Sequence, residues 1–460
     1  MTTTMIKWCG LSAVYCVASV SVAEVARRPN IVLITTDQQW GGAVSALGCR
    51  EVRTPALDRL VSNGVAFTRS YVSYPLCSPS RASLHTGRMP HEIGVDHNNL
   101  PIAEGVLSSG DLLRAVGYRT AYAGKWHLPD VYPTNGIRGF ESLNRAIRKG
   151  RLAVDVDQDT LTAALEFLKT VGDTPFYLVV SFINPHDICL LALRDQPLWE
   201  EVAARYMPRE ARNLPPIPNA AAPSDLPLPG LAGRRDWPTD EWLRYRYAYF
   251  RMVEEVDRQI GQLLDALESA GLASRTLVVF TSDHGEGMGA HGWTGKNIFY
   301  EESLRVPLIV SMRGAPWAGR VDRDTLVSTI DYLPTVCDFA GAQIPLEVRG
   351  QSLRPVIEGR GRLERPYIVS EMVAAPSNRS FTVISKRYKY VLWNSRAGTC
   401  ELLFDLEQDP GEMRNLAEQA DLASVLEEHR GWLRDWRTAT REETYSIQRP
   451  TQKVRAKRRR

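Results

Sequence analysis

Net charge is nearly absent from this 460-residue chain: 56 lysines and arginines face 53 aspartates and glutamates, a balance of +3. So small a surplus leaves no electrostatic footprint for nucleic acid. Cysteine is scarce, with seven in all, and its scattered spacing matches neither a zinc site nor a dense disulfide framework. Beyond the N-terminal segment no apolar run is long enough to cross a bilayer. Internal repeats are missing as well. At 44% hydrophobic and 24% charged residues, the composition excludes disorder and a multispanning membrane protein. What remains is a chain long enough for one large core and a second, smaller domain.

The first residues have the pattern of an export signal. Lys7 supplies positive charge, Trp8 to Val22 is apolar, and Ser21 and Ala23 fit the small-x-small rule for cleavage after Ala23. A lipoprotein reading of Cys16 is disfavoured by its neighbours Val14 and Tyr15. Removal of the signal takes away Cys9 and Cys16 and leaves Cys49, Cys77, Cys189, Cys337 and Cys400. An odd number in an oxidising compartment leaves at least one thiol unpaired or chemically altered. At the other end, "KVRAKRRR" from Lys453 reads as a solvated basic tail, with a polyanion contact as the lesser reading.

Several short apolar runs end in polar clusters. "NIVLITT" runs into Asp37 and Gln38, and "RTAYAG" into Lys125, Trp126 and His127. "FYLVVSFINP" runs into His186 and Asp187, and "TLVVFTS" into Asp283, His284 and Gly285. Helical patterns such as "TLTAALEFLKTV" and "MVEEVDRQIGQLLDALESA" lie between them. Alternating strand and helix predicts an α/β fold, a large mostly parallel sheet sandwiched by helices. Ligands of such sheets gather at the carboxyl ends of the strands, where these Asp, Gln, Lys and His residues stand. The proline-rich run "NLPPIPNAAAPSDLPLPG" reads as part of a surface excursion shaping a cleft. From about Gly350 short runs separated by turn signals predict a smaller C-terminal antiparallel sheet, and "LASVLEEHRGWLRDW" a closing helix.

One cysteine stands apart. In "YPLCSPSRASLHTGR", Ser78 suits a helix cap and Pro79 the first turn, so Cys77 lies where unpaired N–H groups and the helix dipole favour negative charge. Arg81, at i+4, faces the same side. A thiolate nucleophile is one reading of this environment. A cysteine enzyme, however, needs a base beside the thiol, and an exported thiol is open to oxidation.

Cys-x-Pro-x-Arg, with Thr86, Gly87 and Arg88 behind it, resembles the signature of the formylglycine-dependent sulfatases of the alkaline-phosphatase-like superfamily. The resemblance runs from Asn30 to about Leu416, with its landmarks in the family's order. It implies that Cys77 is oxidised to formylglycine by a formylglycine-generating enzyme. It implies that Asp37, Gln38, Asp283 and His284 hold a divalent metal together with the modified Cys77. Arg81 and Lys125 would then hold the hydrated aldehyde and the sulfate, and His127 would help expel the product. His186 and Lys296 would contact the sulfate and protonate the leaving oxygen. In that chemistry one hydroxyl of the hydrate attacks sulfur, and the alcohol leaves with a proton from the acid. Deprotonation of the second hydroxyl then ejects sulfate and restores the aldehyde.

Many sulfatases carry two adjacent aspartates where this chain has Asp37 and Gln38, and Asn where His284 stands. The Asp-Gln and Asp-His set also resembles phosphonate monoester hydrolases and choline sulfatases. Calcium is the metal expected first, with manganese or magnesium as alternatives. The expected organisation is a signal peptide over 1–23, a catalytic α/β domain over 24–349, a C-terminal α+β subdomain over 350–445 and a basic tail over 446–460. The expected function is an exported (periplasmic or extracellular) sulfatase acting on a sulfated carbohydrate, without nucleic-acid partner or membrane span. Phosphonate or phosphate ester hydrolysis is the enzymatic alternative. Sulfated-glycan binding without turnover is the alternative if Cys77 stays unmodified. His85, His91, His97, Trp237, Trp242 and the tyrosines of "RYRYAYF" read as structural, and Cys189 as a buried small hydrophobe.

Overall fold

The computed structural model describes residues 28–129, 137–145, 150–194, 196–207, 219–220, 234–375, 378–395 and 398–445. The expected signal over 1–23, the basic tail over 446–460 and nearly all of the proline-rich run lie outside the described residues. Among the described residues ten strands precede residue 330: β1 (Asn30–Asp37), β2 (Gly64–Phe67), β3 (Ser70–Tyr71), β4 (Arg119–Gly124), β5 (Glu141–Arg145), β6 (Phe176–Pro185), β7 (Thr276–Ser282), β8 (Leu308–Ser311), β9 (Arg320–Asp322) and β10 (Val327–Ser328). Eight of them form one sheet in the order β5-β4-β6-β1-β7-β8-β2-β9, while β3 and β10 pair separately. Only β8 runs against its neighbours, so the sheet is mostly parallel, as the sequence predicts.

The central strand β1 explains the two-layer cover. Its side chains alternate faces, and both faces are dry: Ile31 and Leu33 enter one core with Ala82, Leu84 and Leu333, and Val32 and Ile34 enter another with Leu161, Phe167, Ile260 and Leu263. Fully burying four such side chains is worth about 6–12 kcal/mol as an upper figure. The second core is closed by two amphipathic helices, Ala153–Lys169 and Thr239–Ser269. In the longer one Tyr245, Tyr249, Val253, Val256, Ile260, Leu263 and Leu267 repeat at helical spacing and are all buried.

Because β4, β6, β1 and β7 are parallel neighbours, their carboxyl ends open on the same edge. Asp37, Lys125, His186 and Asp283 therefore arrive together although far apart in sequence. Opposite the long helices, the short helix Cys77–Thr86 is buried along its whole length.

The C-terminal sheet is an antiparallel meander of β11 (Tyr367–Ala375), β12 (Asn378–Ser385), β13 (Tyr388–Ser395) and β14 (Gly398–Asp405). The closing helix Ala423–Thr440 covers one face through Leu426 and Leu433. Ile368, Ile384, Trp393 and Phe404 on the other face pack against Tyr71, Trp293 and Leu304 of the larger domain. Two buried ion pairs, His91–Glu371 at 2.7 Å and Arg379–Asp96 at 3.1 Å, bind the segment after the cysteine helix to this sheet. Among the described residues no helix is long and apolar enough to cross a membrane.

Candidate active site

The cysteine helix starts two residues earlier than the sequence reading places it. Cys77 is its first residue and Leu76 the cap, with no side-chain cap bond. Ser78 does not cap. Its hydroxyl donates to the His127 carbonyl at 2.6 Å, and its N–H donates to Asn98 Oδ1 at 2.9 Å. The difference has a physical reason: once the loop after β4 brings the His127 carbonyl beside the helix, the Ser78 hydroxyl has a tertiary partner in place of its own backbone.

Around Cys77 converge a buried set of ligand-type atoms from Asp37, Asp283 and His284, all within 4.8 Å of one another. Cys77 Sγ lies 3.2 Å from His284 Nε2, 3.2 Å from Lys296 Nζ and 4.0 Å from Asp37 Oδ1. The donor set suits a divalent ion. His284 Nδ1 is engaged by the Gly285 carbonyl at 2.9 Å, which turns the lone pair of Nε2 toward the cluster. Two carboxylates, one imidazole and a softer sulfur position form a mixed set that metals accept. Gln38 Oε1 points into the same centre and accepts from Lys296 Nζ at 2.7 Å.

Local backbone geometry places these groups. Gln38 has φ 77 and His127 φ 61, left-handed values that cost a non-glycine residue of order 1–3 kcal/mol. The turn at Gln38 lets its N–H donate to Asp283 Oδ1 at 3.1 Å and its carbonyl accept from Tyr249 Oη at 2.9 Å. After β7, a side chain at Gly285 would meet the Glu302 carbonyl at 1.9 Å. Only glycine lets the chain pass there.

Arg81 reaches across the back of the site. Its side chain is 2% exposed, and each nitrogen is committed. Nε donates to Asp283 Oδ2 (2.8 Å), Nη2 to Asp37 Oδ2 (3.1 Å), and Nη1 to the Lys125 carbonyl (2.8 Å) and Ser181 Oγ (2.7 Å). It bridges the two carboxylates of Asp37 and Asp283. The open side carries Lys125 (12% exposed), Lys296 (13%) and His186 (23%). Lys125 Nζ stands 2.5 Å from Asp37 Oδ2, and His186 Nε2 stands 3.9 Å from Asp37 Oδ1. His127 and His186 each keep a buried Nδ1 without a hydrogen-bond partner.

Charge is concentrated here. Burial raises Asp37, but Lys125, His186, Lys296 and Arg81 outweigh it and hold the carboxyl well below its usual range. Burial and Asp37 push the Cys77 thiol up, yet Lys296, Lys125 and His284 win and hold it well below the ordinary value. Burial, Lys296 and Lys125 push the His186 imidazole down.

Sequence reasoning missed several supporting groups. Glu286, fully buried, accepts from Gln38 Nε2, Tyr245 Oη (2.8 Å) and the Gly295 N–H (2.7 Å). It thereby fixes which end of the Gln38 amide faces the centre, and puts a carboxylate just outside it. Its signal was its place directly after Asp283-His284-Gly285. Ser181, a lone hydroxyl inside an apolar strand, was a second signal. Cys189 is not simply a buried hydrophobe: it is half-buried, with Sγ 3.1 Å from Gln38 Nε2. His85 and His91 are structural, the first bonded to Ser109 Oγ amid Tyr122, Trp126 and Phe140, the second to Glu371.

Comparison with known proteins agrees with this geometry. The profile of the Sulfatase family matches residues 29–342, well over half of the chain. The chain belongs to the sulfatase family. A second profile, "N-sulphoglucosamine sulphohydrolase, C-terminal", matches residues 289–439 of this sulfatase. It is 30% identical over 457 residues to the Delta 4,5-hexuronate-2-O-sulfatase of Bacteroides thetaiotaomicron, with 93% of this chain and 92% of that one covered. A solved structure of a 2-O GAG sulfatase superposes with a TM-score of 0.75 at 28% identity, covering 90% of this chain and 93% of that one. The phosphonate monoester hydrolase of Agrobacterium radiobacter gives 0.76 at 26% identity, covering 90% and 96%. This sulfatase is accordingly a sulfuric ester hydrolase.

Proposed function

We propose that this sulfatase removes sulfate from a carbohydrate. In this reading Cys77 is converted to formylglycine by a formylglycine-generating enzyme. Asp37, Gln38, Asp283 and His284 hold the divalent ion, calcium first and manganese or magnesium next. The observation that carries the reading is the buried convergence of Cys77 with Asp37, Asp283 and His284, faced by Lys125, Lys296 and His186 on the open side. Support for a sugar substrate comes from the relatives, which are named for hexuronate and GAG sulfates.

The aldehyde would supply a hydroxyl nucleophile at position 77, and the metal would supply positive charge for the sulfate oxygens. The chain's own groups divide the remaining work. Arg81 orients the carboxylates of Asp37 and Asp283, and Glu286 orients the Gln38 amide. Lys125 and Lys296 offer ammonium groups to the anion, where a low-dielectric wall strengthens them. His186 and Lys296 stand on the leaving-group side, and His127 serves release of the product. The N-terminal pattern supports export, with cleavage after Ala23.

The test is sulfate release by protein co-expressed with a maturase, on sulfated uronates and hexosamines beside aryl sulfates and phosphonate monoesters. Turnover highest on a sulfated sugar is expected. A preference for phosphonate monoesters over every sulfate ester would overturn the reading. N-terminal sequencing of secreted material should begin at Glu24.

A further inference from the structure

A second convergence of ligand-type side chains lies between the loop after β7 and the loop after β14, remote in sequence from Cys77. His291 is fully buried, and neither ring nitrogen has a hydrogen-bond partner. The Gly411 carbonyl comes near the ring without bond geometry, and the ring lies flat on Tyr300 at 3.6 Å and 9°. Glu302 Oε2 likewise lacks a hydrogen-bond partner, while Glu412 is held by the Lys389 ammonium through Oε1 and accepts the Glu301 N–H at 2.7 Å through Oε2. One ligand atom from each of His291, Glu302 and Glu412 lies within 4.8 Å of the other two. Ligands on opposite sides of an ion bonded at about 2.0–2.2 Å stand up to about 4.4 Å apart, so only a slight closure is needed.

Charge points the same way. Three carboxylates, Glu301, Glu302 and Glu412, meet here. Buried Lys389 pairs with Glu301 at 3.1 Å and with Glu412, and Arg305 Nε reaches Glu301 at 3.4 Å. Glu302 is left with the neutral amide of Asn219, at 3.0 Å. With all three ionised the group would carry one more carboxylate than cations; burial opposes that by raising Glu302 and Glu412, and a bound cation would balance it instead. An orphaned imidazole facing two carboxylates can accept a cation, and protein–protein hydrogen bonds leave it unused.

We propose that His291, Glu302 and Glu412 form a second divalent-cation site. One imidazole and two carboxylates favour a first-row ion such as zinc or manganese over calcium. The ion clamps the C-terminal loop to the catalytic one. The Glu302 and Ser303 carbonyls accept from the N–H groups of Glu286 and Gly285 at 2.9 Å, so the clamp bears on the segment that carries His284, Glu286 and Lys296.

The test begins with the full chain carrying Asp37→Asn and Asp283→Asn, which disables the centre at Cys77. It is loaded with zinc or manganese, desalted and analysed for metal. About one ion per chain is expected to remain, and adding Glu412→Gln should release it. The ion should also raise the thermal midpoint of the first variant and not of the second. If the double variant does not fold, wild-type protein is stripped, reloaded and counted, with two ions per chain expected. A folded double variant without bound ion and without a thermal response overturns the proposal, as does a wild-type count of one. A proton held between Glu302 and Glu412 would then balance the charge.

Discussion

Replacing Arg81 by lysine separates two roles that a single arginine could have at this site. The substitution keeps the positive charge and removes the planar fork. In the structure that fork makes charge-assisted bonds to Asp37 and Asp283 and neutral ones to the Lys125 carbonyl and Ser181. An ammonium on a lysine stem can meet one carboxylate, not both. Hydrogen bonds to charged groups are worth about 1.5–3 kcal/mol each, so losing one carboxylate bond and a neutral one should cost about 2–4 kcal/mol of folding stability. The freed carboxylate also loses its orientation as a ligand. Losing such a supporting partner costs about 10–100-fold in metal affinity, which corresponds to about 1.4–2.7 kcal/mol. Calorimetric titration of calcium and of manganese into chelator-stripped protein measures this directly, with urea unfolding beside it. Unchanged metal affinity and stability, with turnover alone lost, would refute the reasoning and put the guanidinium on the sulfate.

Other expectations follow from the same contacts. Glu286→Ala should release the Gln38 amide and lower metal affinity by about 10–100-fold; Glu286→Gln, which keeps an acceptor oxygen, should recover part of it, and calorimetry reads both. Gln38→Asp places a carboxylate near Glu286 and is expected to reduce side activity on phosphate or phosphonate esters more than sulfate hydrolysis, read as the ratio of the two kcat/KM values. His85 is pushed down to about 3 by burial and then by Arg81. Its folded value lies below its unfolded one, so its contribution is present above about pH 6.5 and is lost as pH falls from there toward 3, at up to about 1.4 kcal/mol per pH unit. His85→Phe should flatten the acid limb of a urea-midpoint profile by that amount; an unchanged limb would contradict the assignment.

The fold and much of the site were legible because strand ends in an open α/β sheet are marked twice, once by a buried apolar run and once by the polar residues that follow it. Asn30–Asp37, Arg119–Gly124, Phe176–Pro185 and Thr276–Ser282 each coincide with such a run. What escaped was whatever depends on side-chain direction. Arg81 was placed on the correct helix face, but which partners it takes depends on β1 and β7 closing behind it. The helix start slipped by two residues because Ser78 had a tertiary partner that no local pattern encodes. The His291, Glu302 and Glu412 group joins loops more than a hundred residues apart, and nothing in either segment announces the other.

The central claim is that Cys77 is the precursor of the nucleophile. Mass spectrometry of the peptide spanning Cys77, from protein co-expressed with a formylglycine-generating enzyme and shown to release sulfate, tests it most directly. An aldehyde or its hydrate in place of the thiol is predicted, with Cys77→Ala inactive under the same conditions. A preparation that hydrolyses sulfate esters at full rate while Cys77 remains wholly a thiol would contradict the account.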